Sequence, residues 1–357
     1  MPVYKDQNTN TWYSSFRYQD WTGKQKQKKK RGFETKKEAE QWEREFRMKE
    51  RADIDMSMAA FWDLYEQDLK PRLKLNTWLS KEHIVRTKIL PYFGDKKLSE
   101  ITARDVIAWQ NHLMTQIGTN GKPYSPTYLK TVHAQLSAMF NHAIRYYSLP
   151  TNPARKAGTI GSEEYREMDF WTKEEYLKFS EAMMEKPLYY YAFELLYWCG
   201  IREGELLALT PDDFDFDKKL LRINKSYQRL NGEDVITTPK TRKGNRYINM
   251  PDALCEEMKD CLKMFYHIGK HDRIFQVTKS AMYREMNSGS KAAGVKRIRV
   301  HDLRHSHVSL LIDMGFSALA IGNRVGHESE RITNRYAHLF PNRQLDMAES
   351  LNAAMDN

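Results

Sequence analysis

Residues 301–307 read HDLRHSH, which places three histidines and one arginine within two helical turns. His301 and His305 are spaced i, i+4, as two zinc ligands on one helix would be. His301 and Arg304 are spaced i, i+3, as a clamp for a phosphate would be. The two interpretations imply different enzymes, and other stretches of the chain decide between them.

Four further stretches in the C-terminal half carry cationic or nucleophilic side chains. They are CGIREGELLAL (199–209), TTPKTRKGNR (237–246), VGHES (325–329) and ITNRYAHL (332–339). Each is a weak signal alone, because most such cations are surface or ion-pair residues and most tyrosines are packing residues. Together they supply Arg202, Lys240, His327 and Tyr336.

The metal interpretation fails on the number of ligands. A catalytic zinc needs a third protein ligand and an open position. The sequence has no HExxH, and no carboxylate stands at the expected spacing from His301 and His305. We therefore expect no bound metal.

The phosphate interpretation is better supplied. Arg202 and Arg304 can hold the non-bridging oxygens of a phosphodiester and stabilise the charge of its transition state. Histidine can relay a proton at neutral pH, and a lysine can protonate a departing alkoxide. The hydroxyl of Tyr336 can form a covalent phosphoester. This chemistry needs no metal and no other cofactor, because the protein supplies the cations.

The five stretches together resemble the tyrosine recombinase family, the integrases of phages and mobile elements. GIREGELLAL resembles the family's first arginine box, PKTRKGNR its lysine-bearing β-hairpin and HDLRHS its HxxR box. GHESERITNRYAHL resembles the final box, in which Tyr336 follows His327 by nine residues. The resemblance extends over the whole chain, because the N-terminal segments resemble the arm-site and core-site DNA-binding domains of integrases.

The resemblance implies a site-specific recombinase that integrates and excises a mobile element through a covalent 3′-phosphotyrosyl DNA intermediate, without metal or ATP. Tyr336 is implied as the nucleophile. The other implied catalytic residues act on the phosphate or on its protons: Arg202 and Arg304 as phosphate ligands, Lys240 as the general acid, His301 in proton transfer and His327 as a hydrogen-bond donor.

Supporting roles follow for neighbouring residues. Glu205 is expected behind the site, orienting either Arg202 or His301. Lys243 is a rival for the role of general acid, which we assign to Lys240 from its place in the PKT string. In HDLRHSH, His305 receives a supporting structural role, and His307 is expected to face packing or solvent on another side of the helix.

Composition agrees with a DNA-binding protein. The 357 residues carry a net charge of +10, and a basic balance favours a polyanionic partner because each neutralised phosphate releases counterions. No apolar run approaches the roughly 18–20 residues that span a bilayer. MPVYKDQNTNTWY lacks a basic region followed by an apolar core, so we expect no signal peptide. The three cysteines show no CxxC spacing. We expect a cytoplasmic protein, bound to the bacterial nucleoid when on DNA, with no membrane partner.

The basic charge is concentrated at the N-terminus. Eight basic and two acidic residues give residues 1–31 a net charge of +6. WYSSFRY (12–18) alternates as a strand does, KQKQKKKRGF (24–33) is a second extended run, and residues 35–51 have helical periodicity. A small three-stranded sheet backed by a helix would fit the major groove; a solvated lysine run on a loop is the alternative. The candidate DNA contacts are Arg17, Lys24, Lys26, Lys28, Lys30 and Arg31.

The rest of the chain is mainly helical. Residues 53–154 read as a bundle of amphipathic helices. The C-terminal part begins with a capping box, Thr172 and Glu175, and contains three short strands at 220–225, 234–240 and 245–250. The expected class is multidomain α+β, with an arm-type DNA-binding domain at 1–52, a helical core-site DNA-binding domain at 53–154, a linker at 155–164 and a mainly helical catalytic domain with a small antiparallel sheet at 165–357.

Three other functions compete with the integrase. A chromosome-dimer resolvase shares the chemistry but usually begins directly with the helical domain. A type IB topoisomerase would relax DNA without exchanging strands between partners. A catalytically silent DNA-binding regulator would not need the full catalytic set.

Expected partners are double-stranded DNA at core and arm sites and further copies of the chain in a synaptic tetramer. An excisionase and a host DNA-bending protein are further expected partners. The C-terminal QLDMAESLNAAMDN reads as a short amphipathic helix. It would dock on a neighbouring protomer or on its own domain.

Overall fold

A computed structural model of the chain describes residues 3–7, 9–19, 25–52, 56–162, 168–239, 242–326 and 336. The chain divides into two compact units, residues 1–165 and 166–357. Helices predominate, and the strands form small antiparallel sheets. The multidomain α+β class predicted from the sequence is confirmed. Within the described stretches, no helix is long and apolar enough to cross a membrane.

The first unit begins with a three-stranded antiparallel sheet and a helix. These elements are β1 (Val3–Asp6), β2 (Thr11–Gln19), β3 (Gln25–Phe33) and α1 (Lys36–Ala52). Alternation along β2 turns Ser14 and Phe16 towards α1. Phe16 packs its ring 5.3 Å from that of Phe46, and Ser14 donates a 3.1 Å hydrogen bond to Glu43. Packing against a helix lets so small a sheet be stable.

A helical bundle completes the first unit. Its helices are α2 (Met58–Leu69), α3 (Leu75–Ile84), α4 (Leu90–Phe93), α5 (Ala103–Thr115), α6 (Pro126–Tyr147) and α7 (Pro153–Ala157). Ser57, Thr102 and Ser125 cap the helices that follow them by accepting a backbone N–H. The core contains Trp62 and Trp78, whose stacked rings lie 5.3 Å apart.

The second unit is built around a buried apolar helix. Its helices are α8 (Lys173–Met183), α9 (Pro187–Cys199), α10 (Glu203–Leu206), α11 (Asp252–Lys263), α12 (Lys279–Ala292), α13 (Asp302–Asp313) and α14 (Ala318–Val325). Its strands are β4 (Phe214–Asp215), β5 (Leu220–Ile223), β6 (Ser226–Leu230), β7 (Glu233–Thr237) and β8 (Arg246–Asn249). Most of α9 is buried, and its side chains form the centre of the hydrophobic core.

The three strands predicted in this unit do not share one sheet. β5 lies between β4 and β8, whereas β7 pairs with β6. Asn231 and Gly232 both have positive φ, 51° and 85°, as a two-residue type I′ turn requires, and such a turn needs a strand directly before it. The polar sequence SYQRL conceals that strand from a search for apolar alternation.

Two helix ends in this unit follow the sequence signals. Thr172 and Glu175 exchange hydrogen bonds between side chain and backbone, so the predicted capping box at α8 is confirmed. Gly200 ends α9 in the left-handed conformation, with φ of +62°. A side chain is disfavoured there, because a Cβ on Gly200 would lie 2.4 Å from Cδ2 of His307.

Candidate active site

Helix α13 carries Arg304 into the interior of the second unit. Only 3% of Arg304 is exposed. Its Nη1 donates to the carbonyl of Gly200 at 2.6 Å, and its Nη2 donates to that of Val325 at 2.5 Å. Burial lowers the pKa of Arg304 to about 9, so the guanidinium is still charged at neutral pH. The site therefore contains a fixed, partly desolvated cation.

Arg202 is the more accessible of the two predicted phosphate ligands. It precedes α10, and 37% of its side chain is exposed. Its Nη1 donates to Glu205 at 2.7 Å, and its Nη2 donates to the carbonyl of Gly326 at 3.2 Å. Of the two partners predicted for Glu205, the structure brings it to Arg202 rather than to His301.

The C-terminal end of α14 gathers these cations. Three consecutive carbonyl oxygens each accept a hydrogen bond from an arginine: that of Arg324 from Arg246, that of Val325 from Arg304 and that of Gly326 from Arg202. The last carbonyls of a helix have no partner within it and carry the negative end of its dipole. Guanidinium groups satisfy both needs, so the helix end fixes the spacing of the arginines.

Sequence analysis missed Arg246. An arginine on a short strand beside a glycine turn is usually solvent-exposed. Here Arg246 and Ile248 share the buried face of β8, and Arg246 is 8% exposed. Its Nη2 donates to Glu205 at 3.0 Å. The available signal was strand alternation, because Arg246 lies in register with the apolar Ile248.

The hydroxyl of Tyr336 is hydrogen-bonded to Nδ1 of His305. Tyr336 is 2% exposed and packs with Val308, Ile312, Ile321 and Val325. Sequence analysis gave His305 only a supporting role, but its imidazole contacts the predicted nucleophile. The available signal was its position in the sequence, because His305 directly follows Arg304, a predicted phosphate ligand.

The surroundings of His305 favour the tautomer whose Nδ1 accepts a hydrogen bond from the hydroxyl of Tyr336. Its Nε2 lies 3.8 Å from Oδ1 of the buried Asp302, which favours a hydrogen on that nitrogen and leaves Nδ1 as the acceptor. Burial and the neighbouring His301 lower the pKa of His305 to about 4. The imidazole is therefore neutral at physiological pH.

The other two histidines of HDLRHSH separate. The ring of His301 lies 5.3 Å from that of His305, edge to face, at the start of α13. His307 is 2% exposed and accepts a 3.1 Å hydrogen bond from Arg324. His307 therefore faces packing, one of the two environments expected for it, and not solvent.

Some predicted residues lie outside the described part of the chain. They are Lys240, His327, Lys24 and the C-terminal segment QLDMAESLNAAMDN. Lys243, the rival of Lys240, is exposed. Within the described ranges, no group of three or more histidine, cysteine, aspartate or glutamate residues is arranged to hold a metal ion.

The N-terminal sheet divides its basic residues between two faces. Lys28 and Lys30 lie over the rings of Phe46 and Trp42, on the side of α1. On the opposite face, Lys29 and Arg31 lie 4.7 and 5.8 Å from the ring of Tyr13, and Arg17 is in register with Gln27. We call this opposite face, formed by Tyr13, Ser15, Arg17, Gln27, Lys29 and Arg31, the open face.

Comparison with known proteins adds sequence relatives to this geometry. The phage integrase family matches residues 169–343, the arm DNA-binding domain residues 2–49, and the phage integrase N-terminal SAM-like domain residues 58–114. The ICEBs1 integrase of Bacillus subtilis (strain 168) is 31% identical over 301 residues, which cover 80% of this chain and 79% of the relative. The chain belongs to the phage integrase family. It is a tyrosine recombinase, an enzyme that breaks and rejoins DNA at specific sites.

Other relatives and solved structures agree with this membership. The integrase of Mycobacterium phage D29 is 26% identical, over 70% of this recombinase and 67% of the phage protein. The Tn1549 transposon integrase, solved with circular intermediate DNA, has a TM-score of 0.66 at 20% identity, over 84% of this chain and 99% of that one. A λ integrase tetramer bound to a Holliday junction has a TM-score of 0.59 at 20% identity, over 96% of this chain and 95% of the λ integrase chain. These structural likenesses concern the fold.

Proposed function

We propose that this recombinase cuts DNA by attack of Tyr336 on a scissile phosphate. The tyrosine oxygen bonds to phosphorus and the bond to the 5′-oxygen breaks, which leaves a 3′-phosphotyrosyl link and a 5′-hydroxyl. Attack by the 5′-hydroxyl of another strand reverses the step and completes the exchange. The observation that carries the proposal is the hydrogen bond between Tyr336 and a neutral His305, which lies next to Arg304.

The arginines have complementary duties in this proposal. Arg304 is buried and donates to two carbonyl oxygens, so it supplies a fixed positive potential. Arg202 is more exposed, and its 3.2 Å bond to Gly326 is easily exchanged for one to a phosphate oxygen. Two guanidinium charges offset the negative charge that develops on the phosphorane oxygens.

The remaining proton transfers are assigned by residue type. His305, with His301 beside it, accepts the proton of Tyr336. Lys240 protonates the departing 5′-oxygen, and His327 donates a hydrogen bond to the phosphate. The last two roles rest on the match of this sequence to the family's boxes.

The N-terminal segments supply the DNA contacts. We propose that residues 1–52 bind arm sites, that residues 53–154 bind core sites and that residues 165–357 cut the DNA. The matches to an arm DNA-binding domain and a SAM-like domain support the first two assignments. Arg17 and Arg31, with Lys29, contact bases through the open face, while Lys24, Lys26, Lys28 and Lys30 contact phosphates.

The proposed assembly is a tetramer on DNA. The support is the λ integrase tetramer bound to a Holliday junction, whose fold this chain shares. An excisionase and a host DNA-bending protein are the further proposed partners, chosen because arm and core sites on one DNA must be brought together. The enzyme would act in the bacterial cytoplasm, on nucleoid DNA.

A nicked suicide duplex tests the cleavage chemistry. The duplex carries inverted core repeats found by sequencing the DNA that flanks the gene, with a nick placed so that the released fragment diffuses away. Wild type and Tyr266→Phe, which alters a tyrosine that is 92% exposed, should form a covalent adduct that resists denaturation. Tyr336→Phe should form none. An adduct with Tyr336→Phe would overturn the proposal.

A further inference from the structure

We propose that Arg246 is a positioning residue for DNA cleavage, which holds Glu205 and keeps the charge of Arg202 available to the scissile phosphate. This inference rests on the proposed function and extends it to a residue on β8. Arg246 itself would touch neither DNA nor the nucleophile. It would act through the carboxylate it shares with Arg202.

All three nitrogens of the Arg246 guanidinium donate hydrogen bonds within the protein. Its Nε donates to the carbonyl of Arg324 at 2.9 Å, and its Nη1 donates to the carbonyl of Gly244 at 3.1 Å. Nη1 and Nη2 reach the two oxygens of Glu205 at 3.3 and 3.0 Å. Since Arg246 is 8% exposed, it has little freedom to reach a bound DNA backbone.

The carboxylate of Glu205 forms salt bridges with two arginines, Arg202 and Arg246. Its Oε1 accepts from Arg202 Nη1 at 2.7 Å as well as from Arg246, and its Oε2 also accepts the backbone N–H of Arg202 at 3.0 Å. Burial opposes ionisation of this carboxyl, but Arg246 and Arg202 together hold the pKa of Glu205 below its usual value. One carboxylate thus faces two guanidinium groups, and the cluster keeps a net positive charge.

Removal of Arg246 would change that balance. Glu205 would then be a buried carboxylate whose remaining cationic partner is Arg202, and both oxygens would be drawn towards it. The charge of Arg202 would be neutralised by Glu205 rather than by the phosphate. Arg202 would also be pulled away from the position that Gly326 fixes.

Arg246 also joins two segments that lead to predicted catalytic residues. A Cβ on Gly326 would lie 2.7 Å from the carbonyl oxygen of Lys243 and 3.1 Å from Cδ of Arg246, so these segments are closely packed. His327 directly follows Gly326 in the sequence, and Lys240 precedes Lys243 by three residues. Arg246 contacts both described segments, through the carbonyls of Gly244 and Arg324.

The test compares Arg246→Ala and Arg246→Lys in the full-length enzyme. Single-turnover cleavage of the suicide duplex should fall about a hundredfold in Arg246→Ala, the size of loss that a misplaced catalytic group causes. Affinity for intact duplex should change much less than the cleavage rate. Arg246→Lys should recover part of the rate, because it keeps the charge but not the forked geometry.

Arg222→Ala is the matched control. Arg222 lies on the neighbouring strand β5 and is ion-paired with Asp212 and Asp213 rather than with Glu205. This variant also loses an ion-paired arginine from the same sheet, yet it should cleave at the wild-type rate. Loss of cleavage equal to that of Arg246→Ala would mean that any lesion in this sheet disables the enzyme, which would overturn the inference.

A neutral substrate separates positioning from general stability. A methylphosphonate at the scissile position removes one negative charge, so the transition state depends less on Arg202. The rate ratio of wild type to Arg246→Ala should shrink on this substrate, as it should for Arg202→Ala. An unchanged ratio would overturn the inference. If Arg246→Ala does not fold, the same ratio measured with Arg246→Lys decides.

Failure of the proposed function would look different. In that case wild type would form no adduct through Tyr336 on the charged substrate. Wild-type adduct formation together with full-rate cleavage by Arg246→Ala would refute the role of Arg246 alone.

Discussion

At the scale of single residues, the contact between His305 and Tyr336 makes His305 our candidate for the proton transfer that the sequence analysis gave to His301. Because its pKa is lowered to about 4, His305 is neutral at the pH of the cell, so its Nδ1 can accept the hydrogen bond of the tyrosine hydroxyl. We predict that His305→Asn, which keeps a hydrogen-bond acceptor but not a base, lowers the single-turnover cleavage rate about a hundredfold. Affinity for intact DNA should be nearly unchanged.

The comparison variant is His301→Asn. His301 does not reach Tyr336 in the described contacts but lies edge to face with His305. Its substitution should therefore reduce cleavage by a smaller factor. A larger loss in His301→Asn than in His305→Asn would return the proton-transfer role to His301.

His307 makes stability depend on pH. Burial, assisted by the charge of Arg324, lowers the pKa of His307 from 6.5 to about 3. The unfolded chain therefore binds a proton between these values that the folded chain excludes, so stability falls as the pH falls below about 6.5. From about pH 7 to about pH 5, this one residue should lower the free energy of unfolding by about 2 kcal/mol.

Urea unfolding of wild type and His307→Gln at about pH 7 and about pH 5 measures how much His307 contributes to the pH dependence of the free energy of unfolding. Glutamine can accept the hydrogen bond from Arg324 but does not titrate. The fall in stability between the two pH values should be smaller in the variant by about 2 kcal/mol. Equal falls would mean that His307 is protonated in the folded protein or exposed to solvent.

At the scale of elements, the end of α9 and the start of α13 depend on one glycine. Gly200 combines a positive φ with contact to His307, and its carbonyl accepts from Arg304. Gly200→Ala should cost about 1–2 kcal/mol for the left-handed backbone and a further 1–3 kcal/mol for the overlap with His307. Thermal unfolding and the cleavage rate should both report the change.

Gly294 offers a matched control. It has a similar φ of +65°, but a Cβ there would meet nothing within 4 Å. Gly294→Ala should therefore show the backbone cost alone and leave cleavage intact. Equal destabilisation by the two variants would mean that His307 moves aside freely.

Local signals explain which elements could be predicted from the sequence. The capping box at Thr172, the helix end at Gly200 and the alternation of β2 depend on residues a few positions apart, and all three are in the structure. β6 was missed because its polar sequence has no apolar alternation. Its existence follows from the turn at residues 231–232, which is again a local signal.

The candidate site was predictable in composition but not in geometry. The boxes identify Arg202 and Arg304, because their residue types and order are distinctive. No local pattern shows that the two arginines meet at the carbonyls that end α14. Val325, whose carbonyl accepts from Arg304, is 21 residues further along the chain. Strand alternation could have indicated that Arg246 is buried, but not its partners Glu205 and Arg324, which are 41 and 78 residues away.

At the scale of the whole molecule, charge and chemistry occupy different parts of the chain. The N-terminal strand β3 is exposed along nearly its whole length and carries the densest positive charge, whereas Arg202, Arg246 and Arg304 of the second unit are engaged with backbone carbonyls or Glu205. Exposed lysines attract phosphates at long range, and buried arginines act on one phosphate at short range. Binding and cleavage should therefore be separable by mutation.

Deletion of residues 1–52 tests that separation. The truncated enzyme should lose affinity for arm-site duplexes and retain it for core-site duplexes, measured side by side by fluorescence anisotropy. Wild-type binding to arm sites should weaken steeply with salt, because each neutralised phosphate contributes about one counterion to the slope. Equal loss at both kinds of site would contradict the division of labour, because the N-terminal sheet would then serve core binding as well.

Point variants test whether the proposed arm-site contacts lie on one face of the sheet. Arg17→Ala with Arg31→Ala removes two cations of the open face and should weaken sequence-specific arm binding more than non-specific binding. Lys28→Ala with Lys30→Ala removes two cations that lie over the rings of α1, so it should lower the salt slope and leave the specificity ratio unchanged. If Lys28→Ala with Lys30→Ala lowered the specificity ratio and Arg17→Ala with Arg31→Ala did not, the face towards α1, and not the open face, would read the DNA.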